Sequence, residues 1–140
     1  MGTNDLAKEL GLPKQEGRAG LSYALGSIVL TAKAFNIVTL DGVFNNISDQ
    51  EGLLAEATEG KNLGYDGKTL IHPNQIDVTN TVFAPTEKEI AMARKIIEAY
   101  EKAKEEKSGV TTVEGVLVEE LHVKQSLALI NKLKMIQSMS

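Results

Sequence analysis

The chain has 140 residues, 42% of them apolar and 24% charged, a balance that fits an ordinary globular protein and excludes global disorder. Fifteen Lys and Arg against nineteen Asp and Glu leave a net charge of -4, so no general positive field exists to recruit nucleic acid or an anionic membrane. The absence of cysteine removes disulfide frameworks, thiolate metal sites and cysteine nucleophiles, and points to the cytoplasm or an organelle matrix. No apolar stretch approaches the roughly 20 residues of a membrane span, and the opening Met1 to Leu6 lacks the pattern of a signal peptide.

Gly2-Thr3-Asn4-Asp5 reads as a loop of the kind that follows the carboxyl end of a strand. From Leu21 to Phe35, the residues Leu21, Ala24, Leu25, Ile28, Val29, Ala32 and Phe35 recur at three- and four-residue steps and predict a helix packed on one face. The β-branched run that follows predicts a buried parallel strand over 37–40 or slightly beyond. Ser48 and Glu51 have the spacing of a capping box and predict the start of the next helix, which carries Leu53, Leu54, Ala57 and Leu63 towards a glycine stop at Gly64. A second strand is expected at 68–71, giving a strand, helix, strand order and a parallel βαβ unit.

A helical turn is predicted around Asn74 to Val82. Thr86 and Glu89 then form a second capping box at the head of the longest helix, which runs to about Lys104 with Ile90, Ala93, Ile96, Ile97 and Tyr100 on its inner stripe. The charge run Lys102 to Lys107 is its solvated end. Strands at 109–113 and 116–118 flank Glu114-Gly115, a two-residue hairpin connection. A last amphipathic helix begins at about Glu120, uses Val123, Leu127, Ile130 and Leu133, and frays at its end. The change from α/β units to a hairpin plus helix places a boundary at about Ser108, hence regions 1–107 and 108–140.

Candidate chemistry gathers at strand ends, where parallel α/β folds bind ligands. Asp5 is a hard oxygen ligand suited to Mg²⁺, and the amides of Gly2 and Thr3 are free to meet an anion; the alternative for Asp5 is a helix cap. Asp41 and Asp49 form either a carboxylate pair or a strand-end residue followed by a helix-start charge. His72, before Pro73, faces the same rim or bonds a loop, and His122 reads as structural or exposed. Walker, Gly-x-Gly-x-x-Gly, His-Glu-x-x-His and Gly-x-Ser-x-Gly patterns are all missing.

Gly2-Thr3-Asn4-Asp5-Leu6, the stretch from Gly64-Tyr65-Asp66-Gly67-Lys68 to His72-Pro73-Asn74-Gln75-Ile76, and Phe83-Ala84-Pro85-Thr86 together resemble the citrate lyase β-subunit-like branch of the HpcH/HpaI aldolase superfamily, which includes malyl-CoA and citramalyl-CoA lyases. The resemblance implies an α/β fold of partial (β/α)₈ barrel type, the C-terminal βα units of a TIM barrel, with a C-terminal hairpin-plus-helix extension. It implies a Mg²⁺-dependent carbon-carbon lyase acting on a short hydroxyacyl-CoA or related hydroxyacid thioester. Asp5 matches a metal carboxylate, and Gly2 and Thr3 match the amides that face the oxoacid. The family's other metal ligand, a Glu, and its carboxylate-binding Arg lie upstream of this motif, so the chain reads as a C-terminal half, inactive alone. A homo-oligomer or a complementing N-terminal half is the expected partner.

In the hairpin the family carries Gly-x-Met-(Ile/Val)-Asp, whose Asp serves a neighbouring subunit as acid or base. Here the matching run is Gly115 to Glu119, which keeps a carboxylate but adds a methylene, and Leu121 replaces the family's proline. Glu119 is thus the candidate catalytic residue by resemblance, and a helix-start charge by position alone. A non-catalytic oligomerisation or scaffold role is the competing expectation.

Overall fold

The computed structural model describes residues 2–13, 18–106 and 110–139. Helix α1 (Thr3–Glu9) is followed by a single 3₁₀ turn at Ala19–Leu21 and helix α2 (Ser22–Ala34). Strand β1 (Leu40–Asp41), helix α3 (Gln50–Leu63) and strand β2 (Gly67–Lys68) come next, with β1 and β2 paired in parallel. A 3₁₀ turn at Pro73–Gln75 leads into α4 (Ile76–Phe83). Helix α5 (Glu87–Glu105), the antiparallel hairpin β3 (Thr111–Val113) and β4 (Val116–Val118), and helix α6 (Glu120–Met139) complete the order.

The chain divides into two compact units, Met1–Phe83 and Ala84–Ser140. In the first, Leu21, Leu25 and Val29 of α2 meet Ala57 of α3, Tyr65 and Phe83 in one buried cluster, so the predicted three- and four-residue stripe is the packed face. In the second, α5 packs on α6 and β3, with Ile90, Ala93, Val118 and Val123 buried. The boundary expected at Ser108, and the expected strand residue Gly109, lie outside the described residues.

The parallel βαβ unit forms as predicted, but its strands are shorter than the sequence suggests. The expected run 37–40 supplies only Leu40 to the ladder, and the expected run 68–71 only Lys68. Among the described residues β1 and β2 pair only with each other, and a parallel strand without partners on both edges and cover on both faces has little to hold it extended. Val38 and Leu40 are accordingly 72% and 51% exposed, and Phe35, placed on the packed stripe by periodicity, is 71% exposed. Leu127 is likewise exposed, and Ser126 takes the buried place beside Val123.

Helix ends follow local chemistry closely. Thr86 and Glu89 form the complete reciprocal capping box at α5. At α3 the expected cap is corrected by one residue: Asp49 accepts from the Gly52 amide at 2.8 Å, while the Ser48 hydroxyl donates to Asn46. A carboxylate is the stronger acceptor for a helix-start amide and favours the dipole. Gly64 ends α3 at φ +100°, and the Tyr65 and Gly64 amides close on Gly60 and Lys61, the double closure that requires a left-handed residue. Glu114 and Gly115 turn the hairpin at φ +51° and +81°, as a type I′ turn demands.

Two glycines are expected to respond oppositely to alanine. Gly64→Ala forces a left-handed alanine whose Cβ would sit 3.1 Å from Val29 Cγ1 and should cost about 1 to 2 kcal/mol. Gly26, inside α2 with open space at its Cβ position, should gain about 0.4 to 1 kcal/mol as alanine. Denaturant unfolding of both variants checks the signs.

Candidate functional site

The loop expected at Gly2–Asp5 is corrected by the structure: Gly2 stands before α1, and Thr3, Asn4 and Asp5 form its first turn. Thr3 is buried and packs so closely on Gly42 that a Cβ there would lie 2.5 Å from Thr3 Oγ1. Asn4 exchanges two reciprocal amide hydrogen bonds with Asn45, at 3.0 and 2.8 Å. The turn is therefore registered at two successive side chains against the loop that follows β1. Asp5 lies in the first turn of α1 and is exposed; the helix start carries no side-chain cap, so the capping alternative for Asp5 is not realised. A Cβ at Gly2 would stand 3.0 Å from Asp5 Oδ2, so the carboxylate lies close over the Gly2 backbone.

This arrangement fits a hard divalent cation in part. It supplies one carboxylate oxygen over an uncovered backbone, and Mg²⁺ is commonly held by one or two carboxylates with water and substrate oxygens. Among the described residues no group of three or more His, Asp or Glu converges. Thr3 and Asn4 also line an open cleft of 1190 Å³ that runs past Lys8, Arg18 and Asn45 to Glu56.

Beneath the loop lies a feature that sequence reasoning missed. Asp41, at the end of β1 and 0% exposed, accepts from Arg18 at 2.6 Å, from the Gly42 amide at 2.8 Å and from Lys68 Nζ at 3.3 Å. Lys68, at the end of β2, also donates to the Gly42 carbonyl at 2.8 Å and to Glu56 at 2.6 Å. Arg18 completes the set with Glu59 at 3.0 and 3.1 Å. Burial works against the Arg18 charge, but its hydrogen bond and attraction to Asp41, with Glu56 and Glu59 behind, hold the guanidinium above its ordinary pKa. All three Nζ protons of Lys68 have acceptors, so this lysine is a clasp between strand ends and α3 and offers no free amine for chemistry. The available signals were polar residues ending two short strands: Asp41 after Leu40, and Lys68 after Gly67.

Asp41 and Asp49 are not a carboxylate pair; Asp41 belongs to the clasp and Asp49 caps α3. His72 is exposed and its Nδ1 lies 2.8 Å from Asn74 Oδ1 and 3.2 Å from the Asn74 amide nitrogen, the loop-bonding alternative. Asn74 in turn donates to the Ile47 carbonyl, and buried Gln75 joins the Ile71 amide to the Phe44 carbonyl. The His-Pro-Asn-Gln run thus staples the loop that carries Asn45. Burial raises Tyr65 above its ordinary pKa, helped by Asp41, while its hydroxyl donates to the Leu25 carbonyl at 3.2 Å.

In the second unit Glu119 lies between β4 and α6 with its side chain exposed. Its amide donates to His122 Nδ1 at 2.9 Å, and its carbonyl accepts from the His122 amide at 2.9 Å.

A model of the HpcH/HpaI aldolase/citrate lyase family matches residues 1–73. The (3S)-malyl-CoA thioesterase of Cereibacter sphaeroides is 46% identical over 131 residues, which make up 91% of this chain and 46% of that protein. The citrate lyase subunit beta of Leuconostoc mesenteroides subsp. cremoris is 46% identical over 99 residues, 71% of this chain and 33% of that one. Among solved structures, CitE from Mycobacterium tuberculosis in complex with magnesium, acetoacetate and coenzyme A superposes with a TM-score of 0.71 at 28% identity, over 94% of this chain and 49% of that one. The M. tuberculosis citrate lyase beta subunit complexed with oxaloacetate and magnesium gives 0.52 at 34% identity, over 60% and 40%. The chain spans about half the length, 46%, of the first of these curated relatives.

Removing Lys68 by substitution to Met should destabilise the fold by about 3 to 5 kcal/mol, because Asp41 is then left buried with one cation fewer; urea unfolding measures it. Asp66 provides a pH test. Burial would raise its pKa, but Lys33 at 2.6 Å and the Thr39 amide at 2.8 Å outweigh it and hold the carboxyl below its ordinary value. Its contribution to stability is therefore complete above the unfolded carboxyl pKa and disappears as the pH falls through the depressed folded value. Asp66→Asn should flatten that acid limb of the stability curve.

Proposed function

The chain belongs to the HpcH/HpaI aldolase/citrate lyase family, and on that footing we propose that it furnishes the C-terminal βα units of a Mg²⁺-dependent carbon-carbon lyase. Its substrate is a short hydroxyacyl-CoA or a related hydroxyacid thioester. The observation that carries the reading is the Asp5 carboxylate standing over the Gly2 backbone at the opening of α1, within the residues that the family model matches. The magnesium named in the two M. tuberculosis structures supports a cation there, and the parallel β1-α3-β2 unit is the repeating element of a (β/α)₈ barrel.

In this reading Asp5 holds the cation, which supplies charge stabilisation at the oxygens where negative charge develops. The Gly2 and Thr3 amides contact the carboxylate of the oxoacid portion. Cleavage removes the hydroxyl proton and breaks the bond between the hydroxyl carbon and the carbon beside the thioester. The electron pair passes to that second carbon, which takes up a proton, so the products are an oxoacid and a shorter acyl-CoA. Glu119 carries the proton for a site on a neighbouring chain; its added methylene is accommodated only if the carboxyl comes within about 3 Å of the reacting atom. A scaffold role is the second reading.

The test combines this chain with the N-terminal portion of a (3S)-malyl-CoA thioesterase relative and follows malyl-CoA turnover with Mg²⁺. The expected product is an oxoacid, trapped as its phenylhydrazone. Glu119→Ala should lower turnover by roughly 10²-fold or more with Mg²⁺ affinity unchanged, whereas Asp5→Asn should weaken Mg²⁺ binding. Mixing the two variants should restore part of the activity. Release of the free CoA thiol without oxoacid would replace cleavage by thioester hydrolysis. A stable assembly with no turnover would favour the scaffold.

A further inference from the structure

The starts of α3, α5 and α6 differ in which side chain they consume. At α3 the Asp49 carboxylate is taken up by the Gly52 amide, and at α5 the Thr86 hydroxyl is taken up by the Glu89 amide. At α6 the residue in the same place is Glu119, and its carboxylate takes no part in the cap. The His122 amide, three residues on, bonds to the Glu119 carbonyl at 2.9 Å, as does the Val123 amide at 3.3 Å. The Glu119 amide is satisfied from the opposite direction, by His122 Nδ1 at 2.9 Å.

A side chain at this third helical position reaching back to the residue before the helix is the returning half of a capping box, normally made by Glu or Gln. His122 performs it with a ring. The bond needs Nδ1 as acceptor, which places the proton of the neutral ring on Nε2. Val118, immediately before Glu119, is buried and paired with Thr111 across the hairpin. Both backbone groups of Glu119 are therefore held, its neighbours on each side are anchored, and its carboxylate alone projects into solvent.

We propose that His122 is a positioning residue for Glu119, its ring holding the Glu119 amide so that the carboxylate is presented from a fixed backbone. The inference deepens the proton-carrying role given to Glu119 and rests on it for its chemical consequence, whereas the clamp itself stands on the hydrogen-bond geometry. Leu121, where a proline would restrict φ, adds no such constraint, so the approach of the chain to α6 is held by the ring contact together with the pairing of Val118 and the bonds on the Glu119 carbonyl.

The test uses the full chain in solution. A scalar coupling across the N–H···N bond between the Glu119 amide and His122 Nδ1 should be visible by NMR. His122→Ala should speed hydrogen exchange at the Glu119 amide by about five- to tenfold, the worth of one hydrogen bond, while amides deep in α6 keep their rates. His122→Gln restores a reaching acceptor and should bring the rate back. In the complemented assembly, His122→Ala should lower kcat with KM unchanged and His122→Gln should recover it, a split that loss of helix stability alone does not produce. No coupling in the parent chain, together with unchanged exchange in His122→Ala, would overturn the clamp. Normal kcat in His122→Ala where Glu119→Ala abolishes turnover would overturn the positioning role. If Glu119→Ala itself leaves turnover intact, only the proton-carrying assignment fails, and the coupling still decides the clamp.

Discussion

The first unit depends on a buried knot of charge at the ends of its two strands. Asp41 is fully enclosed, and it is tolerable there only because Arg18, Lys68 and the Gly42 amide all donate to it. A buried carboxylate without such partners would shed its charge or unfold its surroundings. Satisfying it ties together four separated pieces of chain: the segment before α2, the end of β1, the middle of α3 and the end of β2. A ladder of two residues per strand cannot fix a parallel pair by itself, so the side-chain knot supplies the register that backbone pairing lacks.

The candidate site rests on the same residues. Gly42 is held by Asp41 at its amide and by Lys68 at its carbonyl, and Thr3 rests on Gly42. Three residues on, Asn45 grips Asn4, while Gln75 and Asn74 brace the same loop from beyond β2. The position of Asp5 is thus determined by residues that have no chemistry of their own to perform. A site on loops gains precision when rigid elements beneath it leave the loops no alternative.

What was legible in the sequence divides by range. Interactions that close within a helical turn were readable: the Thr86 to Glu89 box, the left-handed Gly64, the Glu114-Gly115 hairpin and the packed stripe of α2 all rest on chemistry within a few residues. Asp49 displaced Ser48 as a cap because two adequate acceptors stand side by side and spacing does not choose between them. The charge knot was not readable, since Arg18 meets Asp41 across 23 residues and Lys68 meets it across 27, and each alone resembles an ordinary surface charge. Strand length failed for a related reason. A run such as Ile37 to Leu40 has the composition of a buried strand, but composition states a preference for being covered, and only partners can grant it. The Gly2–Asp5 segment was singled out by resemblance, whereas its supports at Gly42 and Asn45 became visible only in three dimensions.

The helix starts extend this argument to chemistry. A carboxylate placed before a helix is ordinarily absorbed by the helix, because the first amides have no other partner and the dipole favours negative charge there. That is the fate of Asp49. For a carboxylate in the same position to remain available for proton transfer, the cap must come from elsewhere and the backbone must still be held. At α6 the backbone is held without the carboxylate, by His122 Nδ1 on the Glu119 amide and by the His122 and Val123 amides on its carbonyl. A carboxylate before a helix thus meets one of two fates here: Asp49 is taken up by the Gly52 amide, whereas Glu119 has its backbone held while its side chain stays outside the cap.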